Sequence, residues 1–210
     1  MDPQETDKVA RAIADLGLRH AVITSVTRDD LDDGGAGQFA ALTRAIHTCS
    51  PQCRVELLIP DLQGMHEALS AILASEPEIL GHNLETVPRL YPIARSGADY
   101  QRSLDLLAAA KRMAPDIPVK SGLMLGMGET VEEVLAVMAD LHRSGCSMLT
   151  LGQYLQPTRE HLPVVRYVDP DEFKELRHKG LKIGFAHVEA GPLVRSSYHA
   201  AEQFEGNRDD

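Results

Sequence analysis

Apolar and β-branched residues gather in short runs along the chain, and most runs are followed by a stretch in which apolar side chains recur every three or four positions. The runs are Ala21–Val26, Arg54–Ile59, Ile79–Leu84, Val119–Leu125, Met148–Gly152 and Ile183–Val188. Strands this continuously apolar suit a parallel sheet covered on both faces. The periodic stretches predict helices. Glu5 to Leu16 sets Val9, Ile13 and Leu16 on one side and stops at Gly17. Further helices are expected over Gln38–Thr48, His66–Ala74, Tyr100–Met113 and Thr130–Arg143, and over a last segment capped by Asp169 or Asp171 and running to Leu181. Thr130 and Glu133 have the spacing of a capping box. Strand–helix units repeated at this spacing predict an α/β parallel sheet or barrel. A βα series should open on a strand, and this one opens on a helix. Its first strand is therefore expected to be missing, or to lie upstream of Met1.

Composition narrows the class. The chain has 210 residues, enough for one sizeable domain. With 21 basic and 31 acidic residues the net charge is −10, which argues against a general nucleic-acid surface. No run approaches the roughly 20 apolar residues of a membrane span. The start, Met1-Asp2-Pro3-Gln4-Glu5, has no signal-peptide character. A cytoplasmic protein is expected. Three cysteines cannot build a disulfide framework. One domain over residues 1–200 and a loose polar tail over 201–210 are expected.

In a barrel of this type, chemistry sits on the loops that follow strands, and those loops carry the polar residues. Thr27 to Gly37 holds four aspartates and three glycines, either an acidic solvated loop ending at a helix start or a metal site, although the spacing matches no calcium loop. His82-Asn83-Leu84-Glu85 ends a buried strand with three polar groups, either satisfied locally or aimed at a ligand over the barrel mouth. Gly122 to Glu129 carries glycines that serve turns or let a flat ligand approach the backbone. Gly152 to His161 mixes Tyr154, Gln156, Arg159 and His161. Arg195-Ser196-Ser197-Tyr198-His199 lies near the end of the chain. His47, Cys49 and Cys53 sit between a helix and the next strand, at the opposite end from these loops, and are expected to be incidental, as is Cys146.

The same loops resemble those of lipoyl synthases, enzymes of the radical S-adenosylmethionine (SAM) class. The likeness rests on Val22-Ile23-Thr24-Ser25-Val26 with Arg28-Asp29-Asp30-Leu31 and Asp33-Gly34-Gly35-Ala36-Gly37, and on His82-Asn83-Leu84-Glu85-Thr86-Val87 with Arg89-Leu90-Tyr91. It continues through Gly97-Ala98-Asp99-Tyr100, Lys120-Ser121-Gly122-Leu123-Met124, Gly152-Gln153-Tyr154-Leu155-Gln156-Pro157 and Arg195-Ser196-Ser197-Tyr198-His199-Ala200. The resemblance implies a partial (β/α)6 TIM-type barrel, here truncated at its N-terminus. It implies two [4Fe–4S] clusters, one binding SAM and one auxiliary, and insertion of two sulfur atoms at C6 and C8 of a protein-bound octanoyl group to form the lipoyl cofactor. The partners it implies are octanoylated lipoyl carrier domains (2-oxoacid dehydrogenase E2 subunits and the glycine cleavage H protein) and an electron donor such as ferredoxin or flavodoxin. No nucleic acid or membrane is implied.

Carried over residue by residue, Gly122, Met124, Gly126 and Glu129 match the pattern that packs against adenine. Asn83 and Glu85 match the strand end that holds the ribose and amino-acid part of SAM. Tyr154 and Gln156 are expected near the adenine or the octanoyl chain. Ser197 matches the serine that ligates an iron of the auxiliary cluster, and Arg195 would flank that cluster. The departure lies in the cysteines. The family carries C-x4-C-x5-C and C-x3-C-x2-C triplets, and this sequence contains neither. An alternative of another class follows: a non-catalytic module that docks SAM or a lipoyl carrier domain and needs a cluster-bearing partner.

Overall fold

The computed structural model describes residues 4–197; Tyr198, His199, Ala200 and the tail 201–210 lie outside the described residues. Six parallel strands form one sheet in chain order: β1 (His20–Thr24), β2 (Arg54–Leu58), β3 (Ile79–Gly81), β4 (Val119–Leu125), β5 (Met148–Gln153) and β6 (His187–Gly191). The helices are α1 (Glu5–Asp15), α2 (Ala36–Cys49), α3 (His66–Leu73), α4 (Tyr91–Ala94), α5 (Tyr100–Met113), α6 (Val131–Arg143) and α7 (Pro170–Ile183). The sheet runs from β1 to β6 without a bond between these two edges among the described residues, so the barrel is partial. None of the described helices is long and apolar enough to cross a membrane.

The side-chain alternation of each strand separates two environments. Val55, Leu57, Ile59, Leu80, Leu123, Leu149 and Leu151 join the main apolar cluster with Ile46, Leu69, Leu107, Met138 and Phe173 of the helices. Residues of the opposite parity line the concave side. They include Glu56, Lys120, Thr150, His187 and Glu189 together with Leu58, Ile79, Met124 and Met148, so the inside of the curve mixes charged and polar groups with apolar ones. A small apolar pair, Ile79 and Met148, lies apart from the main cluster.

Local chemistry explains most boundaries. The Thr130 hydroxyl accepts from the Glu133 amide while the Glu133 carboxylate accepts from the Thr130 amide, the expected capping box. Asp169, rather than Asp171, caps α7 by accepting from the Asp171 amide. Three boundaries differ from expectation. α2 begins at Ala36, where the Asp33 carboxylate accepts from the Gly35 and Gly37 amides. The run Ile79–Leu84 is strand only to Gly81, after which Glu85 alone returns to bridge Leu123. The last strand is His187–Gly191, not Ile183–Val188, because α7 continues to Ile183 and ends at Gly184, whose φ of +121° suits glycine.

Candidate functional site at the carboxyl ends of the strands

The polar ends of β1 to β5 converge on two adjoining cavities. One, of about 150 Å³, is bounded by Thr24, Ser25, Thr27, Pro60, His82 and Arg95. The other, of about 250 Å³, is bounded by Gly122, Met124, Thr150, Gly152, Arg195 and Ser196. Leu58, Asn83 and Glu85 line both. Of the residues singled out by sequence, Asn83, Glu85, Gly122, Met124 and Arg195 therefore meet at one place.

Glu85 reaches this place through an unusual backbone. Its φ of +65° is left-handed, and it is fastened at both sides: its amide donates to the Gly122 carbonyl and its carbonyl accepts from the Met124 amide. Burial pushes its carboxyl group above the usual carboxylate range, while a hydrogen bond with Asn83 and the charge of Arg95 pull the other way. Arg95 is held by donating to the Asn83 and Leu84 carbonyls and to the Tyr91 hydroxyl, and it lies 5.4 Å from the Tyr91 ring centre. Gly122 is glycine for lack of space. A Cβ there would stand 2.6 Å from the Thr150 hydroxyl and 2.9 Å from the Asn83 amide oxygen. At Gly152 a Cβ would collide with the Val194 carbonyl, so the C-terminal segment lies directly on that strand.

His82 does not share the ligand-facing role suggested for its tetrapeptide. Its Nδ1 donates to the Ile59 carbonyl, leaving Nε2 to accept from the Ser103 hydroxyl. Burial lowers its pKa to about 4, so the ring is neutral at pH 7 and ties β3 to α5. Glu129, too, is used locally. Its two carboxylate oxygens accept from the Gly126 and Met127 amides and lock the turn between β4 and α6. Gly126 and Gly128 both have φ of +106°.

Tyr154 and Gln156 fold into the loop that follows β5. The Tyr154 hydroxyl donates to the Leu162 carbonyl and the Gln156 amide to the His161 carbonyl. Gln153 pins the same loop, donating to the Tyr154 and Arg166 carbonyls and accepting from the Val168 amide. Arg166 forms a two-pronged pair with Glu172, and Arg159 is exposed. Gly126, Glu129, Tyr154 and Gln156 thus border the site without lining either cavity. Ser197 is exposed beside Ser196, and Arg195 donates to the Val194 carbonyl.

The acidic loop after β1 is largely self-satisfied: Arg28 pairs with Asp30 through two bonds, and Asp33 caps α2. Sequence reasoning passed over Arg95, Thr150, Glu56 and Lys120. The last two were hidden inside a strand pattern, and an alternating polar position within an apolar run was the available signal.

The residues present do not fit an iron–sulfur cluster. Cys49 is exposed, while Cys53 and Cys146 are buried. Burial pushes the Cys53 thiol up and the Cys146 thiol up to about 12, away from the thiolate that iron requires. No group of three or more metal-ligating side chains occurs among the described residues. SAM itself is a better match. It is a cation carrying hydroxyl groups, and the cavities offer a half-buried carboxyl group, an amide and a hydroxyl beside two glycines.

The chain matches the Radical SAM superfamily over residues 1–141. It is 60% identical to the lipoyl synthase of Geobacter sp. (strain M21) over 205 residues, covering 98% of this chain and 70% of that protein. It is 59% identical to the lipoyl synthase of Trichlorobacter lovleyi (95% and 71% covered) and 56% identical to that of Escherichia coli O1:K1 / APEC (98% and 64% covered). Among solved structures it resembles methylornithine synthase (PylB), with a TM-score of 0.63 at 13% identity over 93% of this chain and 64% of that one. It also resembles HydG, a maturase of the [FeFe]-hydrogenase, with a TM-score of 0.63 at 13% identity over 97% of this chain and 52% of that one. At such identities these two likenesses show the fold alone.

Proposed function

The chain belongs to the lipoyl synthase family of the radical SAM superfamily, and from that premise we propose that it forms the SAM-holding and substrate-facing part of an enzyme that inserts sulfur at C6 and C8 of a protein-bound octanoyl group. One observation carries the reading. Asn83, Glu85, Gly122, Thr150 and Arg195 converge on a cavity at the carboxyl ends of the strands, where ligands of such folds bind.

In this reading Glu85 and Asn83 hold the charged and hydroxylated part of SAM, and Gly122 and Gly152 let a flat ring lie against the strands. Burial disfavours the ionised form of Glu85, so a cationic ligand supplies the opposite charge that favours it. Met124 supplies an apolar wall. The loop that follows β5, anchored by Gln153, stands beside the site, and in this reading Arg195 and Ser197 face the reacting end. SAM supplies the hydrogen-abstracting chemistry that no side chain can provide. The iron–sulfur chemistry belongs to cysteine triplets that these 210 residues do not contain. The acceptors are octanoylated E2 and H-protein carrier domains in the cytoplasm, with ferredoxin or flavodoxin as electron donor. The three scattered cysteines support the second reading, a docking module that a cluster-bearing partner must complete.

The test compares two chains in cells without lipoyl synthase: the 210-residue chain, and the same chain preceded by the triplet-bearing region of the Geobacter relative. Lipoylated E2 is read by mass spectrometry. The extended chain is expected to restore lipoylation and the 210-residue chain to fail alone. An extended chain that folds, holds both clusters and yields no lipoyl group overturns the reading.

A further inference from the structure

The concave side of the sheet holds a charged pair for which the proposed function has no use. Lys120 on β4 and Glu56 on β2 approach to 2.8 Å, with side chains only 3% and 2% exposed. β3 stands between them and places Gly81, with no side chain, at the register position of Lys120. Glu56 is steadied on its other oxygen by His20 at 3.3 Å. A buried ion pair of this kind costs desolvation and is weak evidence of stabilisation by itself. Lys120 makes a second bond that the pairing does not require: its ammonium donates to the Ser196 carbonyl at 2.7 Å, across 76 residues of sequence.

That bond falls on a segment that lines the larger of the two cavities. After β6 the chain turns, with the Val194 amide donating to the Gly191 carbonyl, and Val194 is buried against Gly152. Val194, Arg195 and Ser196 then line the same cavity as Asn83 and Glu85. Arg195 and Ser197 are both exposed, and the Ser196 carbonyl between them is the group that reaches the interior.

We propose that Lys120 is a positioning residue: oriented by Glu56, its ammonium clamps the Ser196 carbonyl and holds the segment Gly191–Ser197 as a strap over the cavity, fixing where Arg195 and Ser197 stand. Its effect on ligand binding rests on the reading of the cavity as a SAM site; the strap itself does not. The alternative is that Val194 on Gly152 holds the segment without help, with Lys120 and Glu56 serving the sheet alone.

The strap is read by trypsin cleavage of the Arg195–Ser196 bond in the folded 210-residue chain, with cleavage after the exposed Arg159 as the internal standard. Lys120→Met with Glu56→Leu removes the pair without stranding a charge. Cleavage at Arg195 is expected to quicken at least tenfold, by order of magnitude for a lost charged hydrogen bond, while cleavage at Arg159 keeps its rate. Glu56→Gln keeps shape and serves if the double variant does not fold; it should show a smaller rise in the same direction. Binding of S-adenosylmethionine, followed by calorimetry, should weaken in the variant whose strap is loosened. A parent that does not bind the nucleoside, with the cleavage difference intact, leaves the clamp standing and sinks the SAM reading of the cavity. Parental cleavage rates in every variant that folds overturn the clamp.

Discussion

A carboxyl group that is buried beside a cavity lowers stability when it ionises. Glu85 is in that position, its pKa raised chiefly by burial. The sign follows from proton linkage. Between the unfolded value of about 4.3 and the higher folded value, the native state binds more protons than the unfolded one, so stability falls as pH rises through that window. Glu85→Gln is therefore expected to be more stable than the parent at pH 7 and to lose that advantage below about pH 4. Urea midpoints at the two pH values check it; an advantage that is the same at both would show that ionisation is not the cause. Gly122→Ala probes the opposite wall. With Thr150 and Asn83 within 2.9 Å of the added carbon, overpacking should cost about 1–3 kcal/mol. Displacement of Asn83 should also weaken S-adenosylmethionine binding well beyond what the melting shift explains. Asn83 and Glu85 were legible in sequence because polar residues end an apolar run there. Thr150 and Arg95 were not. Their importance depends on which strand end or turn they face, and only the fold decides that.

Elements set by neighbouring residues could be read directly, and elements set by distant packing could not. The Thr130–Glu133 box and the helix Tyr100–Met113 need only their own sequence. The start of β6 depends on how far α7 remains covered. Phe173, Leu176 and Gly180 keep it packed through to Ile183. Glu56 and Lys120 each show as a polar position within an apolar run, but their pairing spans 64 residues and no local pattern reveals it. The turn between β4 and α6 shows both cases at once. Its glycines were visible, and Glu129 was legible as a residue of the loop; that both of its oxygens close the turn is a matter of three-dimensional geometry. Glu129→Gln replaces one accepting oxygen with a donor that faces a backbone N–H. It should cost about 1–3 kcal/mol, seen as a lower urea midpoint at unchanged slope. An unchanged midpoint would mean that the carboxylate is dispensable to the turn.

At the scale of the whole molecule the parallel order was legible from the repeat of strand–helix units, and so was the peculiarity of its first edge. β1 pairs with β2 alone among the described residues. Its sequence, His20-Ala21-Val22-Ile23-Thr24, carries no lysine or glutamate to discourage another strand. Val22, Ile23, Ser25 and Val26 also line a groove of about 490 Å³ against Val9 of α1 and Phe39 and Leu42 of α2. Val26 is 77% exposed at its end. Unpaired amides and uncovered apolar surface on one edge favour pairing with a second copy of the chain. Self-association is expected in the micromolar-to-millimolar range where exposed strand edges aggregate, read as a rise in mass with concentration by light scattering. Val26→Lys places a charge at the end of that edge and should shift the rise to higher concentration. Because Val26 is exposed, the melting temperature should move little. Constant monomeric mass for the parent over the whole range would show that the edge is protected in solution.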